Sequence, residues 1–282
     1  MTDFNPPVFS WQPGPPDFRD IFPDNAVVRK MMRRLEPRKS KRRRVDLRRY
    51  FPDVGDQQTL NSAPAQACVD LIEYFQRRAF GKVRPGSVRF VYKLMRKLLG
   101  RMGDSGGDLR TAFKAIVRFG IPPASLCPYS VERFDEEPEP FLYSYAHEFH
   151  SIAYVRLDRP NTDGQQTLKS IKSFVTAGFP CVFGFAIPDS LTTEADIPWQ
   201  PLQDGVRGGQ AAIIVGYDDD RLRSTKGALL IRSSWGAQWG EAGYGWLPYR
   251  FVEQQMAVDC WTALKKPWLV SKEFRKPVLD ES

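Results

Sequence analysis

Side chains that could carry out nucleophilic or acid–base chemistry are few and scattered in this 282-residue chain. Its four cysteines lie far apart, each in apolar surroundings: Cys68, Cys127, Cys181 and Cys260. Its two histidines, His147 and His150, lie in a stretch rich in tyrosine and phenylalanine. Nucleophilic catalysis needs a nucleophile, a base and a group that orients the base, all in contact. The cysteine spacing also fits no metal site, and no cofactor is indicated.

The most suggestive polar segment is residues 56–65, which read DQQTLNSAPA and precede an apolar helical pattern. Pro64 suits the first turn of a helix, where a missing N–H group costs nothing. Ser62 has no base beside it, so we expect its hydroxyl to lie at the helix start. Cys68 falls five residues beyond Ala63 on the apolar face, where a buried thiol is inert. These residues predict a helix that begins at a polar loop without a nucleophile.

The elements that would position these residues fall into two halves. Apolar periodicity predicts helices over residues 25–35, 63–79, 87–99 and 109–119, and a later one over 167–177. Strand patterns follow from residue 151, with turns rich in glycine and aspartate between them. They cover residues 151–157, 181–185, 211–217, 228–232 and 243–247. The sequence predicts an α+β fold, a helical half followed by an antiparallel β half-barrel.

Composition describes an ordinary globular protein with a basic bias. Hydrophobic residues make up 42% and the net charge is +8. No apolar run approaches the ~18–20 residues that a membrane span needs. The proline-rich start is unlike a secretory signal peptide, and the separated cysteines indicate no disulfide. We therefore expect a cytoplasmic protein.

The positive charge is concentrated in one basic run, residues 38–49. Its first members are Arg38, Lys39, Lys41, Arg42, Arg43 and Arg44. Such a run can bind nucleic acid or an acidic partner. A solvated linker is an equally good interpretation, because no aromatic residues alternate with the basic ones. The nearest acids along the chain are Glu36 and Asp46, so local pairing cannot neutralise the run.

Several segments, in order, resemble papain-like (family C1) cysteine peptidases. The segment 56–65 is similar to their active-site stretch, and residues 45–48 to the first strand of their mature fold. Residues 208–217, GGQAAIIVGY, resemble the strand that carries their histidine. Trp11 and residues 16–20 are similar to a segment of prokaryotic members. Further matching blocks are residues 104–107, 109–113, 119–121, 128–129, 231–236, 239–241 and 243–245.

The resemblance implies that the catalytic positions have been replaced. The family's cysteine, histidine and asparagine fall on Ala63, Gln210 and Ser233, while its oxyanion-hole glutamine is retained as Gln57. A methyl group cannot attack a carbonyl, and a primary amide cannot act as a base near neutral pH. An engineered inactivation would explain Ala63 but not the other two changes. The resemblance therefore implies a protein that is not an enzyme.

The resemblance also implies a cleft that binds an extended peptide. Its lining residues would be Gln57, Ser62, Gly106, Gly107, Gly209, Gln210 and Trp235. Glycine permits a peptide backbone to approach closely. The alternative for Gly106 and Gly107 is a simple turn before a helix, and the alternative for Trp235 and Gln57 is a purely structural role. The helix start at Ala63 would leave N–H groups able to accept an anion or carboxylate.

We therefore expect a papain-like domain over residues 45–266, with a helical half over about 45–145 and a β half over about 146–266. A proline-rich and basic extension, residues 1–44, would precede it, and a tail, residues 267–282, would follow. The predicted function is that of a pseudopeptidase that binds an extended peptide or a protein partner. Two alternatives remain open: a polyanion or nucleic-acid binder acting through residues 38–49, and an enzyme with relocated chemistry.

Overall fold

A computed structural model describes residues 10–35, 42–200, 202–222 and 226–276, without the side chains of residues 32–35. Its helices are α1 Ala26–Leu35, α2 Ala63–Phe80, α3 Val88–Leu98, α4 Leu109–Phe119, α5 Gly164–Thr176, α6 Arg250–Glu253 and α7 Lys266–Val270. Its strands are β1 Arg44–Asp46, β2 Ala153–Arg156, β3 Cys181–Pro188, β4 Val206–Asp218, β5 Ala228–Arg232, β6 Tyr244–Pro248 and β7 Ala257–Leu264. Two 3₁₀ helices span Arg48–Tyr50 and Pro140–Glu148. None of the described helices is long and apolar enough to cross a bilayer.

The described strands form one antiparallel sheet in the order β2-β7-β3-β4-β5-β6, with β1 paired to β4. The sheet is not closed, because its two edge strands, β2 and β6, do not pair with each other among the described residues. Its central strand β4 pairs with β3 and β5, so Gln210 lies opposite Phe185 and Ile213 opposite Arg232. The predicted α+β class, with helices first and an antiparallel sheet second, is confirmed.

Helix α2 is the central element of the helical half. It begins at Ala63 with Pro64 in its first turn and ends at Gly81, whose left-handed φ of 70° glycine adopts without strain. Most of its surface is buried, and it contacts β4, α3 and α4. Burial on several faces explains why its apolar pattern is so broad. This packing fixes the helix start against the sheet.

The N-terminal segment differs from the expected extension. Trp11 and Val28 are buried in the core, and Asp20 forms a buried ion pair with Arg110, whose Nη2 lies 2.6 Å from the carboxylate. Strand β1 then begins at Arg44, within the predicted extension. Residues 10–35 are therefore part of the folded body, because their few apolar and acidic side chains find partners on distant elements.

The chain after β7 also differs from the expected tail. Trp268 stacks on Phe75 of α2, with ring centroids 5.0 Å apart, and Phe274 is buried beside them. Residues 266–276 thus cover the back of α2. Their aromatic side chains, spaced six apart in a basic segment, gave no periodic signal in the sequence.

Candidate functional site

The side chain of Gln57 is the centre of the hydrogen-bond network at the start of α2. Its Nε2 donates to Ser10 Oγ at 3.0 Å and to the Leu60 carbonyl at 2.8 Å. Its Oε1 accepts from Gln210 Nε2 at 2.8 Å and from Ser234 Oγ at 2.5 Å. Both amide protons and the oxygen are therefore used within the protein. No donor of this side chain remains for a ligand oxygen.

Gln210 and Ser233 do not face each other. Gln210 Nε2 points to Gln57 and lies 3.5 Å from Ser234 Oγ, whereas its Oε1 has no hydrogen-bond partner among the described residues. Ser233 Oγ instead donates to the Gly243 carbonyl at 3.1 Å. The structure thus brings Gln57 and Gln210 together with Ser234, which the sequence did not single out, whereas Ser233 forms no described hydrogen bond with either glutamine. The one sequence feature that could have indicated Ser234 was that it directly follows another serine, Ser233.

Ala63 is fully buried at the start of α2. The hydroxyl of Ser62 makes no bond to the helix and instead lies 2.7 Å from Tyr129 Oη, which itself donates to the Gln57 carbonyl. Ser62 thus lies directly before the helix, as expected, but its hydroxyl bonds to a tyrosine and not to the helix backbone. The helix start faces protein on all sides, so an incoming anion has no open approach to it.

The remaining candidate nucleophile and bases lie outside this network. Burial raises the pKa of the Cys68 thiol well above its usual value, so the thiol stays protonated. His147 is exposed and its Nδ1 lies 2.7 Å from the Ser144 carbonyl, and His150 is also exposed. No described hydrogen bond joins either histidine to Gln57 or Gln210. The burial of Cys68 agrees with the expected inert thiol.

Residues 10–12, which we call the cleft segment, lie between Gly107 and Gly209, two of the three predicted cleft glycines. Trp11 N donates to the Gly209 carbonyl at 3.1 Å, and Gly107 N donates to the Ser10 carbonyl at 3.1 Å. Gln12 N donates to the Gly107 carbonyl, also at 3.1 Å. Gly107 and Gly209 therefore do contact an extended backbone, which belongs to this chain. The cleft segment occupies the place predicted for a separate peptide.

Trp11 is anchored in a cradle, formed by Gly184, Gly209 and Asp259, that the sequence did not predict. Its Nε1 donates to Asp259 Oδ2 at 3.0 Å, and only 7% of the residue is exposed. A Cβ on Gly184 would lie 1.9 Å from the indole, and one on Gly209 would lie 2.4 Å from the Trp11 carbonyl. Burial raises the pKa of Asp259 to about 6, although hydrogen bonds from Trp261 and Trp11 oppose this shift.

The other two predicted cleft residues act mainly as structure. Gly106 takes a left-handed φ of 63°, and its N–H donates to Tyr92 Oη at 3.2 Å. This is the turn alternative that the sequence left open. Trp235 is buried and packs edge to face on Trp239, with ring centroids 4.8 Å apart.

The basic run lies partly outside the described residues, which do not include Arg38, Lys39 or Lys41. Arg43 pairs with Asp220 at 2.5 Å, and Arg44 lies 3.9 Å from the carboxylate of Asp218. Acids close along the chain are not the partners of these two arginines, and the sequence did not predict the pairs with acids from a distant strand. The end of β4 supplies the acids, because β1 lies alongside it. The polyanion-binding role of Arg42, Arg43 and Arg44 stays a prediction.

Comparison with known proteins places this geometry in a family. A family model described as papain family cysteine protease matches residues 44–260. An uncharacterized peptidase C1-like protein of Acanthamoeba polyphaga mimivirus is 28% identical over 216 residues, which are 73% of this chain and 68% of that protein.

Solved structures show the same fold. Xylellain, a cysteine protease from Xylella fastidiosa, superposes with a TM-score of 0.74 at 26% identity, covering 92% of this chain and 96% of the other. The bromelain protease of Ananas comosus, in complex with an inhibitor, gives a TM-score of 0.56 at 17% identity over 80% of this chain and all of the other. The second likeness shows the fold alone.

Proposed function

The chain belongs to the papain family of cysteine proteases, and from this membership we propose that it is a non-catalytic member that works as a binding protein. One observation carries the proposal. The three positions that the resemblance assigns to catalysis hold a buried methyl group at Ala63, an amide at Gln210 and a hydroxyl at Ser233 that is bonded to Gly243.

This set of groups cannot carry out acyl transfer. Peptide hydrolysis by this route needs a thiolate, a base that removes and returns a proton, and donors for the developing oxyanion. The amide of Gln210 has no basic lone pair near neutral pH. The donors of Gln57, the retained oxyanion-hole position, are bonded to Ser10 and Leu60. Each requirement therefore fails for a separate reason.

A binding role is supported by what the fold retains. The cleft still holds an extended backbone through Gly107 and Gly209, although the backbone is that of the cleft segment. A separate peptide can use these groups only if it displaces Ser10 and Trp11. We therefore propose that partners are proteins bound through the outer surface, or peptides that exchange with the cleft segment. A cytoplasmic location remains part of the proposal, supported by four buried and unpaired cysteines.

The test is a comparison of three proteins in a peptidase assay. The purified chain and Ala63→Cys should not hydrolyse peptide substrates, and an electrophilic probe of cysteine peptidases should not label the native chain. The triple variant Ala63→Cys, Gln210→His, Ser233→Asn should be the most active of the three, because it restores thiol, base and orienting group.

The controls separate true turnover from contamination or stray labelling. Intact-mass analysis reads any label, and Cys68→Ser removes the nearest native thiol. Turnover by the native chain that survives repurification and is lost on substitution of Gln57 would refute the proposal. Equal activity of the single and triple variants would show that Gln210 does not hold the base position.

A further inference from the structure

A large cavity lies on a different part of the molecule from the cleft segment. Its volume is about 1080 Å³, and it opens between α1, α7, the end of α5 and the sheet edge at β2. Small-molecule sites typically have volumes of roughly 300–1,000 Å³. The cavity is therefore large enough for a ligand with a long chain, and none of the cleft residues line it.

The walls of this cavity are apolar. Ile21, Met31, Leu264, Leu269 and Phe274 contribute to them. At the mouth, Val27 and Val270 are mostly exposed, at 75% and 53%. Apolar side chains that stay in water beside a concave apolar wall are typical of a site that buries them when occupied.

The charges around the cavity have one sign. Its basic lining residues are Lys30, Arg42, Arg78, Lys266, Arg275 and Lys276. Its described lining contains no aspartate or glutamate. Lys276 pairs with Glu273 at 2.7 Å, but Lys30, Lys266 and Arg275 form no ion pair with a described carboxylate. A cleft lined by one sign of charge concentrates ligands of the opposite sign.

Arg78 provides a second and independent observation. It is 4% exposed, yet no described carboxylate lies within ion-pair distance of it. Its guanidinium donates to Tyr74 Oη, to the Gly178 carbonyl and to the Phe274 carbonyl, which are all neutral, and its Nε has no partner. A buried charge is costly unless it is paired with an opposite charge. The lining thus contains a buried cation that no described carboxylate balances.

We propose that this cavity binds one anionic amphiphile, a molecule with a carboxylate or phosphate head and a hydrocarbon chain. The head group pairs with Arg78 and is attracted by the basic side chains of the rim. The hydrocarbon chain lies against Leu264, Leu269 and Phe274. This binding site is separate from the papain-like cleft and from the proposed loss of catalysis, so either proposal can fail without the other.

Calorimetric titration of the full chain with laurate, below its micelle-forming concentration, tests the proposal. We expect one molecule to bind per chain. Decanoate should bind about tenfold more weakly, because each buried methylene contributes to affinity. Dodecanol, which lacks the charge, and acetate, which lacks the chain, should both bind at least about tenfold more weakly than laurate. Equal affinities for laurate and dodecanol would overturn the proposal.

Variants assign the binding to the cavity. Lys266→Ser with Arg275→Ser should weaken laurate binding about tenfold and leave the melting temperature nearly unchanged. Lys97→Ser with Arg101→Ser removes the same charge at the end of α3 and should leave affinity unchanged. Arg78→Met should abolish laurate binding. If that variant does not fold, the double variant Lys266→Ser, Arg275→Ser is the deciding test. Equal weakening by both double variants would overturn the proposal.

Either of two other partners, a membrane surface or the chain's own acidic residues, would also overturn the proposal. The chain could sediment with phosphatidylserine vesicles and yet not bind monomeric laurate. That result would mean that the protein recognises a membrane surface and not a ligand in the cavity. The chain's own acids Asp280 and Glu281 lie outside the described residues. A rise of more than tenfold in laurate affinity in Asp280→Asn, Glu281→Gln would mean that these acids compete for the rim. Unchanged affinity supports an external ligand.

Discussion

At the scale of single residues, the amide of Gln57 is fully used in hydrogen bonds within the protein. Its four hydrogen bonds join the loop before α2 to the cleft segment, to β4 and to the loop after β5. A group that is fully bonded in a buried site contributes to stability, and its removal leaves several partners unsatisfied. The retention of this glutamine needs no catalytic explanation.

We expect Gln57→Ala to lower the free energy of unfolding by about 2–4 kcal/mol, because the partners it leaves behind are buried. Urea denaturation of the variant and the native chain measures this loss. The matched control is Gln166→Ala on the exposed face of α5, which should change stability by less than about 0.5 kcal/mol. Equal effects at the two positions would contradict the network described for Gln57.

Asp259 makes the stability of the protein depend on pH. Burial raises its pKa from 3.8 to about 6, so ionisation costs more in the folded state than in the unfolded one. Its contribution to stability is therefore most favourable below pH 3.8 and is lost as the pH rises through about 6. The direction is opposite to that of a carboxylate held by an arginine.

Asp259→Asn should remove this dependence. The free energy of unfolding of the variant, relative to that of the native chain, should increase by about 3 kcal/mol as the pH rises from about 4 to 7. It should not increase further above pH 7. Denaturant unfolding of both proteins between pH 4 and 8 gives the difference directly. A difference that does not vary with pH would show that Asp259 does not titrate in this range.

At the scale of elements, the cleft segment is a short piece of chain with one anchor of its own and a second anchor in the stretch that follows it. Trp11 fixes one end in the cradle of Gly184 and Asp259, and the ion pair between Asp20 and Arg110 fixes the next stretch to α4. Trp11 is therefore the one large side chain that anchors the cleft segment.

Trp11→Ala should uncover the start of α2. In an Ala63→Cys background, we expect the new thiol to react with an aromatic disulfide reagent at least about a hundredfold faster when Trp11 is also replaced, since reaction then no longer requires opening. Loss of the indole should also lower the free energy of unfolding by about 3–5 kcal/mol. Reaction rates are read against the four native thiols, which are buried. Equal rates with and without Trp11 would mean that the segment does not cover this position.

The two residues directly before β1 bond to the fold through their backbones. The Arg43 carbonyl accepts from Asp219 N at 2.8 Å, and the Arg42 carbonyl accepts from Tyr217 Oη at 3.0 Å. The charged ends of Arg43 and Arg44 are mostly exposed, so their ion pairs contribute little to stability.

Replacement of Arg42, Arg43 and Arg44 by serine should therefore change the free energy of unfolding by less than about 1 kcal/mol. The same variant should elute from heparin at lower salt, if the basic run binds polyanions as predicted. Asp218→Asn with Asp220→Asn is the control, because it frees the same arginines and should increase retention. Unchanged heparin retention in both variants would reduce the basic run to a solvated linker.

At the scale of the whole molecule, one buried ion pair joins the helical half to the sheet. Arg232 of β5 lies 3.0 Å from Asp70 of α2 and also donates to the Pro52 and Asp53 carbonyls. Both side chains are almost fully buried. Removal of one partner from such a pair leaves an uncompensated charge in the interior.

Asp70→Asn should lower the free energy of unfolding by about 3–5 kcal/mol, for the reason just given. Thermal and urea unfolding measure the loss. Asp196→Asn is the control, because its pair with Arg221 at 2.7 Å is substantially exposed and should contribute less than about 1 kcal/mol. Similar losses in the two variants would show that Asp70 does not join the two halves energetically.

Much of the fold could be predicted because its signals are local. Helix α4 and strand β5 have the bounds that the sequence predicted, because apolar residues in α4 recur with the period of a helix and β5 is a short continuous apolar run. Strand β7 was missed. Its centre carries Asp259, with a left-handed φ of 58°, at the register shift in its pairing with β3. An irregular strand of this kind has no alternating pattern to detect.

The sequence by itself determined which chemical groups stand at positions 63, 210 and 233, because side-chain identity needs no folding. Tertiary structure decided what those groups touch. Trp11 meets Asp259 across 248 positions of sequence, and Gln57 meets Ser234 across 177. Such pairings depend on strand register and on the path of the N-terminal segment, and no local pattern encodes them. For this reason the sequence predicted an open cleft, whereas the structure shows one that the chain itself fills.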